Sequence, residues 1–325
     1  MSKDLHLNPQ ALTKEGKLEP IRAGFGRGLV KAGQINNQVV ALCADLTDSV
    51  KMGEFAKEFP DRFVEIGIAE QNLVTVGSGM SLEGKVPFVS SYAAFSPGRN
   101  WEQIRTTVAL NEANVKIIGS HAGLMTGPDG ATHQMLEDIA LMRVLPNMTV
   151  VVPCDSVEAE KATLAIAGHK GGAYMRLARE KTPILTTVDT PFALNKAQVF
   201  RGGSDVTIVA CGVMVAEALQ AAEQLAKKGI EAEVINCPVI KPLDTVTLLA
   251  SARKTGKVVT CEEAQIAGGL GGAVAEMLVE HHPVPLRRIG MRDRFGESGS
   301  PEELLEHFEL TAPHIAKTVH EFVKE

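Results

Sequence analysis

The stretch VKIIGSHAGLMTGPDGATHQMLED, residues 115–138, is where the architecture is first legible. It opens on a short run rich in β-branched residues, VKIIGSH (115–121), and ends by entering a helical pattern, EDIALMRVL (137–145). Between the two lies a loop with glycines, a proline, an aspartate and His133. A short apolar run bounded by turn residues and followed by a 3.6-residue period predicts a β-strand that leads into a helix.

The same unit recurs on both sides of that stretch. VVALCAD (39–45), RFVEIG (62–67), VPFVSSY (86–92), TVVVPCD (149–155) and AYMRLAR (173–179) read as further strands, with helices such as QNLVTVGSGMSL (71–82) between them. Strands alternating with helices predict an α/β chain whose first domain is a doubly wound parallel sheet. The stretch KTPILTTVDTPFALNKAQVF (181–200), with two prolines and little pattern, breaks the rhythm. It predicts a linker at 186–200, between a first domain over 1–185 and a smaller α/β domain over 201–325. In the second domain DVTIVACG (205–212), EAEVINC (231–237) and KVVTCEE (257–263) read as strands. AEALQAAEQLAKKG (216–229) reads as a helix stopped by Gly229, and GGAVAEMLVEHH (271–282) as another.

Composition agrees with this class. Aromatic residues are only 4% of the chain and hydrophobic ones 45%, so the core must be built from aliphatic side chains, as suits helices on a parallel sheet. A net charge of −6 argues against generic nucleic-acid binding. The five cysteines are far apart with no CxxC spacing, which predicts reduced thiols in a cytoplasmic protein rather than disulfides or a zinc site. The start, MSKDLHLNPQ, has no apolar signal region, and no apolar run approaches the roughly 18 residues of a membrane span.

Asp45, Glu70, Tyr92, His121 and Arg179 each fall at or just after the end of a different predicted strand. Parallel strands put those ends on one edge, where ligands of α/β sheets bind, although strand ends are polar in any soluble protein. In the loop quoted first, Gly127, Pro128 and Gly130 shape tight turns, while His121, Asp129 and His133 supply donors, acceptors and a titratable pair. Their spacing matches no familiar metal-ligand motif, so no metal site is predicted on this chain. A polyhydroxylated ligand is the better match to such a fork of polar groups.

IGIAEQNL (66–73), SYAAF (91–95), SHAGLMTGPDGATHQ (120–134) and LAR (177–179) resemble the C-terminal half of transketolase, over nearly the whole chain. That resemblance implies a pyrimidine-binding domain followed by the smaller transketolase C-terminal domain. It also implies thiamine diphosphate as cofactor and transfer of a two-carbon ketol unit between sugar phosphates, in carbohydrate metabolism such as the pentose phosphate pathway. Glu70 matches the glutamate that hydrogen-bonds N1′ of the cofactor aminopyrimidine and so favours loss of the thiazolium C2 proton. A carboxyl partly buried beside an aromatic ring suits that task. Phe95 matches the aromatic stacked on the aminopyrimidine, with Tyr92 on the same approach and Asp45 nearby. His121 and His133 join Glu70 as implied catalytic residues. Arg22, Ser49, His121, Asp129, His133 and Arg179 match positions lining the substrate channel, where Arg grips phosphate and Asp129 reads hydroxyl stereochemistry. SPGRNWEQIR (96–105) departs from the family pattern and leaves open which of Arg99, Asn100 and Trp101 reaches the site.

Thiamine diphosphate is anchored in this family through Mg²⁺ by a GDG motif and a later Asn, and the chain has no such pair. The resemblance therefore implies a split transketolase. Its N-terminal partner subunit would bind Mg²⁺ and share the cofactor, in an A2B2 heterotetramer. Competing readings are a deoxyxylulose-phosphate synthase-like or oxoacid dehydrogenase β-like subunit, and a non-catalytic regulatory subunit. His121 favours transketolase, because the synthase usually carries Asp-Arg at that point and the dehydrogenase lacks DGxTHQ. Two glycine-rich stretches are set aside as dinucleotide loops. AGGLGGAVAE (267–276) lacks the G-x-G-x-x-G spacing and serves close helix packing, and GFGRGL (24–29) follows no predicted strand.

Overall fold

The computed structural model describes residues 5–325. The chain enters through β1 (Leu18–Pro20) and the helix Ile21–Ile35. It then alternates strands and helices through β2 (Val39–Cys43), β3 (Phe63–Glu65), β4 (Val86–Tyr92), β5 (Lys116–Ser120), β6 (Met148–Val151) and β7 (Gly172–Arg176). β8 (Lys181–Pro183) returns to pair antiparallel with β1. After β9 (Gln198–Arg201), β10 (Val206–Ala210) and β11 (Ala232–Asn236), β12 (Val239–Lys241) is followed by β13 (Val258–Gln265) and β14 (Leu286–Met291).

The larger sheet has the order β12-β6-β7-β5-β4-β2-β3, parallel except for β12. The smaller has the order β14-β13-β10-β11-β9, parallel except for the edge strand β9. Every residue of β2, β5 and β7 is buried, as expected where helices cover both faces. Neighbours along a strand point to opposite faces, and two apolar clusters follow. Phe88 and Met175 belong to one with Phe25, Phe200 and Leu219; Val89 and Tyr174 belong to the other with Leu42, Ile235 and Leu278. Each cluster runs through both sheets. Lys116 opens β5 as a buried lysine, and its Nζ donates to Asn114 Oδ1 and the carbonyls of His169 and Gly171 at 2.6–2.8 Å. Burial lowers its pKa to about 7.

All nine predicted strands are present, but β1, β8, β9, β12 and β14 were not foreseen. Four of them are runs of three or four residues at sheet edges or in the small β1–β8 pair, too short to show an alternation. Residues 198–200, within the segment read as a linker, begin β9. β12 follows second-domain strands yet completes the first sheet, where its Lys241 Nζ is held by the carbonyls of Arg143 and Leu145. β14 carries Arg287 and Arg288, which hide its apolar character. GFGRGL does follow a strand, β1, and it lies inside the helix Ile21–Ile35. A Cβ on Gly24 would meet the Ser156 carbonyl oxygen at 1.7 Å, and one on Gly28 the Thr163 Cβ at 2.7 Å. Those glycines let this helix press against the helix Ser156–Gly168. AGGLGG likewise opens the helix Leu270–His281, whose Leu270 and Gly271 amides donate to the buried Glu262 carboxylate, both at 2.8 Å.

Candidate active site

The strand order places β3 and β4 on opposite sides of β2, so the chain reverses direction across the sheet at that strand. A crevice opens at the carboxyl ends of strands at such a switch point. Asp45 follows β2, Glu70 begins the helix Glu70–Leu82 after β3, Tyr92 ends β4, His121 follows β5 and Arg179 follows β7. Three non-glycine residues here have positive φ: Asp45 (57°), Lys51 (65°) and His121 (53°). Such backbone strain persists only where surrounding contacts hold it. At His121, Thr126 Oγ1 donates to the carbonyl at 2.7 Å and the ring is stacked on Tyr92 with centroids 3.8 Å apart.

The rings form one aromatic group. Phe95 lies nearly parallel to Tyr92 with centroids 5.9 Å apart, and His133 meets Phe95 edge-on at 5.4 Å. Arg22 Nη1 stands 3.2 Å from His121 Nε2, and His121 Nδ1 is 2.9 Å from Ser120 Oγ. A guanidinium only donates, so Nε2 must accept and the single proton sits on Nδ1. The pKa agrees: burial, then the charges of Arg22, Arg179, His133 and Lys51, push His121 down to about 3.

Of the two cations here Arg22 has the incomplete set of partners, whereas Arg179 Nε also lies 3.4 Å from Glu180 Oε1. Arg22 Nη1 reaches the Ser49 carbonyl at 3.4 Å, while its buried Nε has no hydrogen-bond partner among the described residues. Burial and the neighbouring Arg179 charge lower the Arg22 pKa from its ordinary value. Arg179 donates to the Thr126 carbonyl at 2.8 Å and lies 3.6 Å from Asp129. Arg22, Ser49, His121, Asp129 and Arg179 are thus linked, Ser49 through its backbone, and His133 joins through the rings. Two guanidinium donors, imidazoles and the Asp129 and Ser49 acceptors together suit an anion that also carries hydroxyl groups.

Glu70 is 2% exposed. Its Oε2 accepts from Arg99 Nη1 at 2.6 Å and its carbonyl from Asn100 Nδ2 at 2.7 Å. Among the described residues no hydrogen bond reaches Oε1. A cavity of about 400 Å³ opens against Glu70, lined also by Ile68, Gln71, Asn72, Arg99 and Gln103. Of the three residues left open by the sequence, Arg99 and Asn100 reach Glu70. Trp101 turns away, its indole N–H donating to the Leu141 carbonyl at 2.9 Å. Asp45 stands apart from the group: its amide is held by Glu65 Oε1 at 2.7 Å, and its exposed side chain makes no hydrogen bond among the described residues. Glu65, Lys51 and Thr126 were not singled out as site residues, and Arg99 was only one of three left open. Only the SPGRN departure marked one of them, Arg99, in advance.

Larger cavities lie elsewhere, of about 790 Å³ beyond β14 and about 850 Å³ beside the helix Ile21–Ile35, and no predicted site residue lines either. Among the described residues no group of three or more His, Cys, Asp and Glu is arranged to hold a metal ion. No described helix is long and apolar enough to cross a membrane.

Comparison with known proteins matches residues 20–184 to the transketolase pyrimidine-binding domain and residues 195–315 to the transketolase C-terminal domain. The 6-deoxy-6-sulfo-D-fructose transketolase subunit SqwH of Clostridium sp. (strain MSTE9) is 44% identical over 90% of this chain and 91% of its own. An apulose-4-phosphate transketolase subunit of Phocaeicola vulgatus is 39% identical over 94% and 97%. Among solved structures, a split-gene transketolase described as an inactive β4 tetramer superposes with a TM-score of 0.88 at 45% identity, covering 94% of this chain and 98% of that one. With both domain families matched in order and relatives aligned nearly end to end, the chain belongs to the transketolase family, in the form of its pyrimidine-binding and C-terminal domains.

Proposed function

We propose that this chain is the C-terminal subunit of a split transketolase, which with an N-terminal subunit moves a two-carbon ketol unit between sugar phosphates using thiamine diphosphate. The observation that carries the reading is Glu70: a buried carboxylate, one oxygen tied by Arg99 and the other free, at the carboxyl edge that also presents Phe95. These residues fit the aminopyrimidine, since Oε1 has no hydrogen-bond partner among the described residues and is free to share a proton with ring nitrogen N1′, and the Phe95 and Tyr92 rings offer apolar faces. The bound cofactor supplies the nucleophilic carbon and the electron sink for the ketol unit. Within that frame Arg22 and Arg179 hold the anionic end of the sugar, and Asp129 and Ser49 read its hydroxyls. Neutral His121 keeps Nδ1 as a donor, and its Nε2 becomes an acceptor for a sugar hydroxyl when Arg22 turns to an anion. His133, at the edge of Phe95, is the second imidazole that can hold or pass a proton.

The relatives are named for a sulfo-sugar and a sugar phosphate, so an anion on a sugar is the shared chemistry, and two guanidinium groups suit such an anion. Mg²⁺ and the diphosphate belong to the partner's GDG and Asn, in an A2B2 assembly. The test is reconstitution with a chain carrying that motif, assayed by ketol transfer on ketose phosphates. The mixture should turn over, the separate chains should not, and Glu70→Ala should assemble yet lose turnover by about 100-fold or more. Turnover by this chain alone, or an unimpaired Glu70→Ala complex, refutes the assignment.

A further inference from the structure

We infer that Arg99 is a positioning residue: it pins Glu70 Oε2 so that Oε1 is the oxygen presented to the cofactor ring. The inference rests on the functional reading above. The terminal torsion of a glutamate is broad, so a carboxylate that must present one oxygen in one direction needs the other fixed. Arg99 Nη1 does this with a charge-assisted bond of 2.6 Å. Asn100, fully buried, fixes the main chain of the same residue, its Nδ2 donating to the Glu70 carbonyl at 2.7 Å and lying 3.2 Å from Ser96 Oγ. Consecutive residues thus hold Glu70 at its side chain and at its backbone.

Arg99 also faces the second cofactor-facing group. Its guanidinium carbon lies 4.7 Å from the centre of the Phe95 ring, and its amide donates to the Phe95 carbonyl at 3.1 Å. One side chain therefore sets the distance between the carboxylate and the aromatic ring, the two parts that must meet the same aminopyrimidine. At 49% exposure the Arg99 side chain is no part of the apolar core, so its removal leaves the fold standing. A shift of about 1 Å at a reacting group costs on the order of 100-fold in rate, which is the scale to expect when such a pin is lost.

The test uses the complex with the N-terminal subunit, loaded with thiamine diphosphate, and follows three quantities: calorimetric cofactor affinity, the rate of hydrogen–deuterium exchange at the thiazolium C2, and thermal unfolding. Arg99→Ala should unfold within a few degrees of wild type and slow C2 exchange by about 10- to 100-fold. Arg99→Lys should recover part of that loss, and in a Glu70→Ala background Arg99→Ala should add nothing, because both changes disable one unit. Arg99→Met, which keeps the bulk, gives the same exchange readout if the alanine variant assembles poorly. Wild-type exchange in the Arg99 variants, losses that multiply in the double variant, or faster exchange with tighter cofactor binding would overturn the inference. Exchange abolished by Glu70→Ala but untouched by Arg99→Ala sinks this inference alone, whereas exchange untouched by Glu70→Ala sinks the functional reading and this inference with it.

Discussion

His121 is held neutral by its surroundings: it is 2% exposed, stacked on Tyr92, and flanked by the charges of Arg22 and Arg179. Its pKa falls from 6.5 to about 3, so between those values the unfolded chain binds a proton that the folded chain refuses. The stability that comes from keeping this ring neutral is complete above pH 6.5 and is lost as pH falls through the window down to about 3. At about 1.4 kcal/mol per unit the whole window is worth several kcal/mol. Urea unfolding at a series of pH values should therefore show wild type losing more stability between pH 6.5 and 4 than His121→Gln does. Parallel pH profiles for the two proteins would contradict the account. At this scale the histidines, Glu70, Phe95 and the two arginines were legible as candidates because their motifs quote a family pattern. Arg99 was not, since its role depends on where its side chain points after a turn that departs from that pattern.

Glycines decide how closely the helices pack. Gly24 sits where a Cβ would lie 1.7 Å from the Ser156 carbonyl oxygen, a backbone atom that cannot swing aside. Gly24→Ala must force the helix Ile21–Ile35 away from the helix Ser156–Gly168, at a cost of about 1–3 kcal/mol, and must displace Arg22, two residues earlier. A lower midpoint in urea and a raised KM for phosphorylated sugars should appear together. Gly79, exposed in the helix Glu70–Leu82, has nothing within 4 Å of a built Cβ, so Gly79→Ala should be neutral or stabilising by up to about 1 kcal/mol. Equal effects of the two substitutions would remove the packing argument. The helices themselves were readable from periodicity, whereas the purpose of GFGRGL was not, because its neighbour lies more than a hundred residues away.

The two sheets are joined by a buried charge network. Arg176 on β7 donates to Asp138 at 3.0 Å and to the Glu263 carbonyl at 2.8 Å, and lies 3.4 Å from the Glu263 carboxylate on β13. Tyr174 donates to the same Asp138 at 2.6 Å. Burial and Asp138 hold the Tyr174 hydroxyl well above its ordinary pKa, and Arg176 stays charged because its two carboxylate partners outweigh its burial. Arg176→Met strands two buried carboxyl groups and should cost about 3–5 kcal/mol. Differential scanning calorimetry should show a large fall in Tm, with the second sheet's transition separating from the first. A variant as stable and as cooperative as wild type would mean that the network does not couple the sheets.

The sequence by itself determined the class of fold and the order of nine strands along the chain, and it named most of the candidate residues that the structure gathers at the crevice, because these are written locally: in the period of apolar residues and in motifs of a few consecutive positions. The tertiary structure alone decided which strand neighbours which, and so sent β12 back to the first sheet. It also decided that Ser49 contributes a carbonyl, that Asp45 stands aside and that Arg99 grips Glu70. Those outcomes depend on pairings between residues tens to more than a hundred positions apart. A short edge strand or a single guanidinium has no periodicity of its own, and only the packed chain sets what it meets.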